Sequence, residues 1–124
     1  MAKKKIKAQS SSLLDAVIEG VKEKKGKNIV CLDLRKIKNA AFEHFVICEA
    51  DSTTQVDAIA QSVKDEVKKL TGERAYHSEG FENKQWILID YVTVIVHIFL
   101  PDVREYYKLE SLWADAEVFI PSQQ

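Results

Sequence analysis

The chain has 124 residues, 46% of them hydrophobic and 30% charged, with a formal net charge of −1. That length is one domain, long enough to bury roughly two-thirds of its unfolded surface without disulfide or metal staples. The balanced charge excludes a global electrostatic pull toward nucleic acid, and no run approaches the ~20 apolar residues that cross a bilayer.

The chain opens with MAKKKIK, followed by polar AQSSS where a signal peptide would carry an apolar stretch. Residues 1–9 therefore read as a disordered basic tail, residues 10–120 as a single domain, and the expected compartment is the cytoplasm. Ser10 to Ser12 are good helix-capping residues, with Asp15 in the first turn and Leu13, Leu14, Val17, Ile18 and Val21 on one face. Gly26 ends that helix. Lys27–Leu34 reads as a strand apolar enough to be covered on both faces, 35–41 as a connection and Phe42–Glu49 as a second strand.

Asp51 or Ser52 caps the firmest element, a helix carrying Val56, Ile59, Ala60, Val63, Val67 and Leu70 at helical spacing. Asp65 and Lys69 are placed for an i,i+4 pair on its exposed side, and Thr71-Gly72 closes it. Residues 74–78 suit a short strand and 79–85 a polar loop. Trp86 to Leu100 supplies two strands joined near Asp90-Tyr91, the second apolar on both faces and so central. Pro101 stops it, and an amphipathic helical segment follows. The order αββαβββ plus a C-terminal helical turn gives an α/β (α+β) fold, a mixed sheet flanked by helices.

Charge is distributed unevenly. Residues 1–27 carry eight Lys against three acidic residues, whereas residues 86–124 carry six acidic residues against Arg104 and Lys108. Both tryptophans, Trp86 and Trp113, and the tyrosines Tyr91, Tyr106 and Tyr107 lie in the acidic stretch. So many rings beside carboxylates exceed what a core needs and point to contact with a basic partner. Trp113 has core packing as its alternative, because it shares a helix face with Tyr106 and Leu109.

Catalytic chemistry finds no support. His44 and Cys48 on one strand stand roughly 13 Å apart, too far to chelate one ion. No CxxC, HExxH, GxSxG, Walker A or GxGxxG pattern occurs, so no metal and no cofactor is expected. Cys31 and Cys48 sit in apolar runs and read as buried thiols. Asp33 on a mixed sheet suggests a nucleotidyltransferase, but the position two residues on is Arg35, and no Gly-Ser dipeptide exists to hold phosphate. His97 among Val and Phe reads as a structural residue.

Two blocks carry a family resemblance. FEHFVICEADSTTQVDAIAQSV (42–63) and WILIDYVTVIVHIFLPDVREYYKLESLWADAE (86–117) are similar to the ribosomal silencing factor family (RsfS, also called Iojap), and the likeness spans roughly residues 11–119. The resemblance implies a nucleotidyltransferase-like sheet without its catalytic residues. It also implies binding to a basic protein of the large ribosomal subunit, number fourteen, on the intersubunit face. Small-subunit joining is thereby blocked and translation repressed. Family members often form homodimers in isolation; no membrane is involved. The matching positions imply one contact patch of Trp86, Asp90, Tyr91, Arg104, Tyr107, Leu109, Glu110, Leu112 and Trp113, with Trp86 and Tyr91 as its anchors and Asp90 and Glu110 pairing with basic side chains. Val92-Thr93 stands where the family has Gly-Asp, Glu43-His44 where it has Asp-Tyr, and Ala50 where it has Gly. The alternatives are a nucleotidyltransferase-like enzyme and an RNA-binding module using the basic tail.

Overall fold

Helical spacing in the first fifth of the chain and again after residue 52 produces the two long helices, and the intervening apolar runs produce the strands between them. A computed structural model describes residues 9–113 and 115–121, with the side chains of 9–11, Tyr106, Glu110 and Leu112 outside the description. The expected tail at residues 1–9 thus lies almost wholly outside the described residues. The elements are α1 (Gln9–Glu23), β1 (Lys27–Asp33), β2 (His44–Glu49), α2 (Thr53–Thr71), β3 (His77–Glu79), β4 (Trp86–Asp90), β5 (Val94–Phe99), α3 (Pro101–Tyr107), α4 (Leu109–Leu112) and β6 (Glu117–Phe119). They form a six-stranded mixed sheet in the order β3-β4-β5-β2-β1-β6. The seam is the parallel pair β2 and β5, in register from His44↔Val94 to Glu49↔Phe99. Every residue of β5 is buried, as its two-sided apolar pattern requires.

One face of the sheet lies under α1 and α2. Leu13, Val17 and Val21 meet Val56, Ile59 and Val63 over Val46, Cys48, Ile87, Ile89, Val94 and Val96. The helices cross closely because Gly20 has no side chain: a Cβ there would lie 2.6 Å from the Val63 Cα. The Ser62 hydroxyl donates to the Gly20 carbonyl at 2.7 Å across the same crossing. Ser52 caps α2 by accepting from the Gln55 N–H, and Gly72 ends it at φ 78. Gln55 also donates to the carbonyls of Lys24 and Lys25, which ties the α1–β1 turn to the start of α2.

The other face is covered only in part. Leu34, Ile37, Ala40 and Phe42 of the β1–β2 connection fold under it, with Val103, Leu109 and Trp113 from the C-terminal segment. These residues pack with Leu32, Phe45, Ile47, Ile95 and Phe99, leaving the β3–β4 end open.

Several expectations are corrected in detail. Helix α1 starts at Gln9, so the serines lie within its first turn and Asp15 beyond it. Strand β1 ends at Asp33 and β2 begins at His44, because the β1–β2 connection uses Leu34 and Phe42 for packing under the sheet. Lys69 reaches Glu66, at 3.9 Å, in place of Asp65. Strand β6 is an addition, pairing Cys31↔Phe119, Leu32↔Val118 and Asp33↔Glu117.

The β4–β5 connection contains a strained residue. The Thr93 N–H bonds to the Tyr91 carbonyl at 2.9 Å, two residues back, while Val92 has φ 76. That is a γ-turn of the rare positive-φ kind, at a β-branched residue that strongly disfavours it. The Asp90 Oδ1 accepts from the Val92 N–H at 2.7 Å and holds the turn in place. Val92 is 57% exposed, so its side chain contributes little packing in return. Strain of about 1–3 kcal/mol, less the backbone entropy that glycine loses on folding, leaves a net gain of about 1 kcal/mol for Val92→Gly. Thermal unfolding of that variant should shift upward by ~3–5 °C, while Val92→Ala, still at positive φ, should not. A Val92→Gly midpoint at or below wild type would show that the turn stores no such strain.

Candidate functional site

The open end of the second sheet face is organised by strand alternation. Trp86, Leu88 and Asp90 of β4 point to it, directly opposite Phe99, His97 and Ile95 of β5. On the outer side β3 pairs His77 with Asp90 and Glu79 with Leu88, adding a polar edge. Trp86 is half-buried. Its ring stacks on Phe99 (centroids 4.8 Å, 28°), and Tyr107 from α3 closes on it (4.7 Å, 47°). Its Nε1–H donates to His97 Nδ1 at 3.2 Å.

The chain before Trp86 is folded tightly against it. Gly80, at φ 97, passes so close that a Cβ would lie 2.1 Å from the Trp86 carbonyl oxygen. Lys84 N–H returns to the Gly80 carbonyl at 2.9 Å. Between this loop and α3 opens a cavity of about 640 Å³, walled by Trp86, Val103 and Tyr107 and edged by Glu79, Glu82 and Asp102. Among the described residues no Lys or Arg lines it. An apolar floor with a carboxylate rim suits a basic, partly apolar surface.

Helix α3 is fixed by internal bonds. Leu100 N–H reaches the Gln85 carbonyl at 2.9 Å, and Pro101 opens the helix. Arg104 Nη1 donates to the Asn28 carbonyl at 2.8 Å and to Glu49 Oε2 at 3.0 Å, with both side chains well covered.

The structure brings together some of the residues expected in the contact patch and separates others. Trp86 and Tyr107, the latter 47% exposed, meet at the cavity. Asp90 lies on the same face at the far end of β4 and is half-buried. Tyr91 is a correction. It is 4% exposed and belongs to the helix-side core, so it cannot anchor a partner. Burial pushes its phenol up to about 12. Arg104 is a strut between α3 and the sheet. Leu109 and Trp113 pack under the face, Trp113 edge-on to Phe45 (5.8 Å, 80°), which favours the core alternative for Trp113. The side chains of Glu110 and Leu112 lie outside the description. Glu79, Glu82, Asp102 and Leu88 were not expected at the face. For the three carboxylates the sequence signal was acidity on either side of an isolated Trp, and for Leu88 it was alternation with Trp86.

Several titratable groups elsewhere are held away from their ordinary values. Asp33 is clamped by Arg35, at 2.7 and 3.0 Å, and its carboxyl is lowered to about 2 mainly by that bond. Burial raises both cysteine thiols to about 12. His44 is held below its ordinary value by burial, against the pull of Asp33. Among the described residues no cluster of His, Cys, Asp or Glu could hold a metal ion, and no helix is long and apolar enough to cross a membrane.

His97 is 3% exposed and lowered from 6.5 to about 4 by desolvation. Above pH 6.5 both folded and unfolded chains carry it neutral, so it adds no pH dependence there. Below 6.5 the unfolded chain takes up the proton first, and stability falls until the folded state also protonates near pH 4. The loss across that window is about 3 kcal/mol. Urea midpoints measured through the window should fall less steeply for His97→Asn than for wild type; parallel slopes would mean that His97 titrates normally in the folded protein.

The comparisons with known proteins agree with this architecture. The family described as "Ribosomal silencing factor during starvation" matches residues 7–124. "Ribosomal silencing factor RsfS" of Bacillus subtilis is 38% identical over 105 residues, covering 85% of this chain and 87% of that one. A crystal structure of a Chromobacterium violaceum protein superposes with a TM-score of 0.78 at 35% identity, covering 91% of this chain and 90% of that one. A shorter likeness, 30% over 73 residues, links 57% of this chain to 32% of the mouse "Mitochondrial assembly of ribosomal large subunit protein 1". The chain belongs to the ribosomal silencing factor (RsfS) family.

Proposed function

We propose that this protein docks on the large ribosomal subunit and keeps the small subunit from joining it, without catalysing any reaction. The contact is made with a basic large-subunit protein, the one numbered fourteen, on the intersubunit face. The observation that carries this reading is the Trp86–Tyr107 wall with Glu79, Glu82 and Asp102 around it and, among the described residues, no basic side chain in its lining. Rings of this kind dominate binding energy at interface centres, while carboxylates at the rim steer and orient a cationic partner. The family name and the names of its relatives supply the ribosomal setting.

The mechanism is exclusion by volume. A bound domain of this size standing on one subunit's contact surface prevents the other from seating, and the effect follows occupancy by mass action. Asp33, held by Arg35, has no part in it.

Two variants separate docking from folding. Tyr107→Ala should weaken cosedimentation with large subunits by roughly tenfold or more, since truncating a central ring costs about 2 kcal/mol. Asp102→Lys should slow association, and rising ionic strength should weaken the wild type by screening the same attraction. Circular dichroism should be unchanged in both. Undiminished binding of both variants, with no salt dependence, would reject this face as the contact.

A further inference from the structure

We propose that His97 is a positioning residue for docking: its Nδ1 accepts the Trp86 indole N–H and holds that ring in the pose a partner meets. The inference rests on the docking face described above and assigns a role to a residue no partner touches. His97 and Trp86 are diagonal neighbours on adjacent strands, His97 opposite Leu88 and Trp86 opposite Phe99. At 3.2 Å the bond requires Nδ1 to be unprotonated, so the neutral ring carries its proton on Nε2. Phe45 packs against the imidazole on one side (centroids 4.8 Å) and Phe99 lies nearly parallel to it (6.1 Å, 11°), so the acceptor itself has little freedom.

The surroundings of Trp86 explain why an acceptor is needed. Phe99 and Tyr107 fix the plane of the indole between them, but ring contacts alone allow it to slide or flip about its own axis. One hydrogen bond to a rigid, buried acceptor selects a single orientation. An apolar residue would fill the same buried site and avoid the desolvation of an imidazole, whose Nε2 has no partner among the described residues. The histidine therefore serves orientation at some cost to packing. A ring ordered before contact need not be ordered during it, which strengthens association without adding any contact.

The test has two arms. In the free wild-type chain, nitrogen NMR should show His97 protonated on Nε2 only, with the Trp86 indole N–H in slow exchange with solvent. In cosedimentation with large subunits, His97→Leu should weaken binding about three- to tenfold, the worth of one freed side chain. His97→Asn, whose Oδ1 replaces the lost acceptor, should restore most of it. Tyr107 packing and the circular dichroism spectrum should be common to all three. A His97 protonated on Nδ1, or a leucine variant that binds like wild type, would overturn the proposal. If the wild type itself does not associate with large subunits, the docking reading fails, and the NMR arm alone decides whether His97 orients Trp86.

Discussion

The structure depends on the parallel pairing of β2 with β5 at the middle of the sheet. Both strands are buried on both faces, so each must be covered twice, and the two covers differ. On one side α1 and α2 seal the sheet with aliphatic side chains packed at a close helix crossing. On the other side the chain has only a loop and two short helices left to spend, and these reach Phe45, Ile95 and Phe99 but stop before β3. The uncovered end is a geometric remainder of this unequal covering, and it is where Trp86 lies.

Trp86 consequently serves two masters. One face of its indole stacks on Phe99, part of the core, and its edge bonds to buried His97; its other side meets half-exposed Tyr107 and the cavity. A residue shared in this way is rigid without being hidden, the condition under which an aromatic side chain contributes most to an interface. The chain's near-zero net charge conceals the matching electrostatic feature. The acidic residues that ring the cavity come from three segments, β3, the loop after it and α3, and act together only in the folded state.

Long periodic elements were legible in the sequence. Helix α2, strand β5 and their burial follow from spacing that spans many residues, and the family blocks at 42–63 and 86–117 fall on β2–α2 and β4–α4. Three-residue strands have no period to read, so β6 was absent from the expectation and β3 lies at His77–Glu79 where 74–78 was expected. Tyr91 was misread for a different reason. Trp86, Leu88 and Asp90 share one face by strict alternation, and Tyr91 is one residue out of phase, which sends it to the helix side. That parity was available in the sequence but was overridden by the density of aromatic residues. Arg104 could not have been placed from the sequence, because its partners Asn28 and Glu49 are 76 and 55 residues away.

The strained turn at Val92 and the proposed docking face share one carboxylate. Asp90 ends the outward-facing row of β4 and spends Oδ1 on the Val92 N–H, so its carboxylate is oriented by the turn it stabilises. Glycine would adopt the same φ without opposition, whereas valine adopts it only because β4–β5 pairing and the Asp90 bond hold it. A carboxylate committed to a local backbone bond keeps a fixed direction but less capacity to follow a partner. In the proposed docking the acidic work of the face therefore shifts toward Glu79, Glu82 and Asp102 beside the rings, where charge would steer approach and the aromatic wall would govern how long a partner stays.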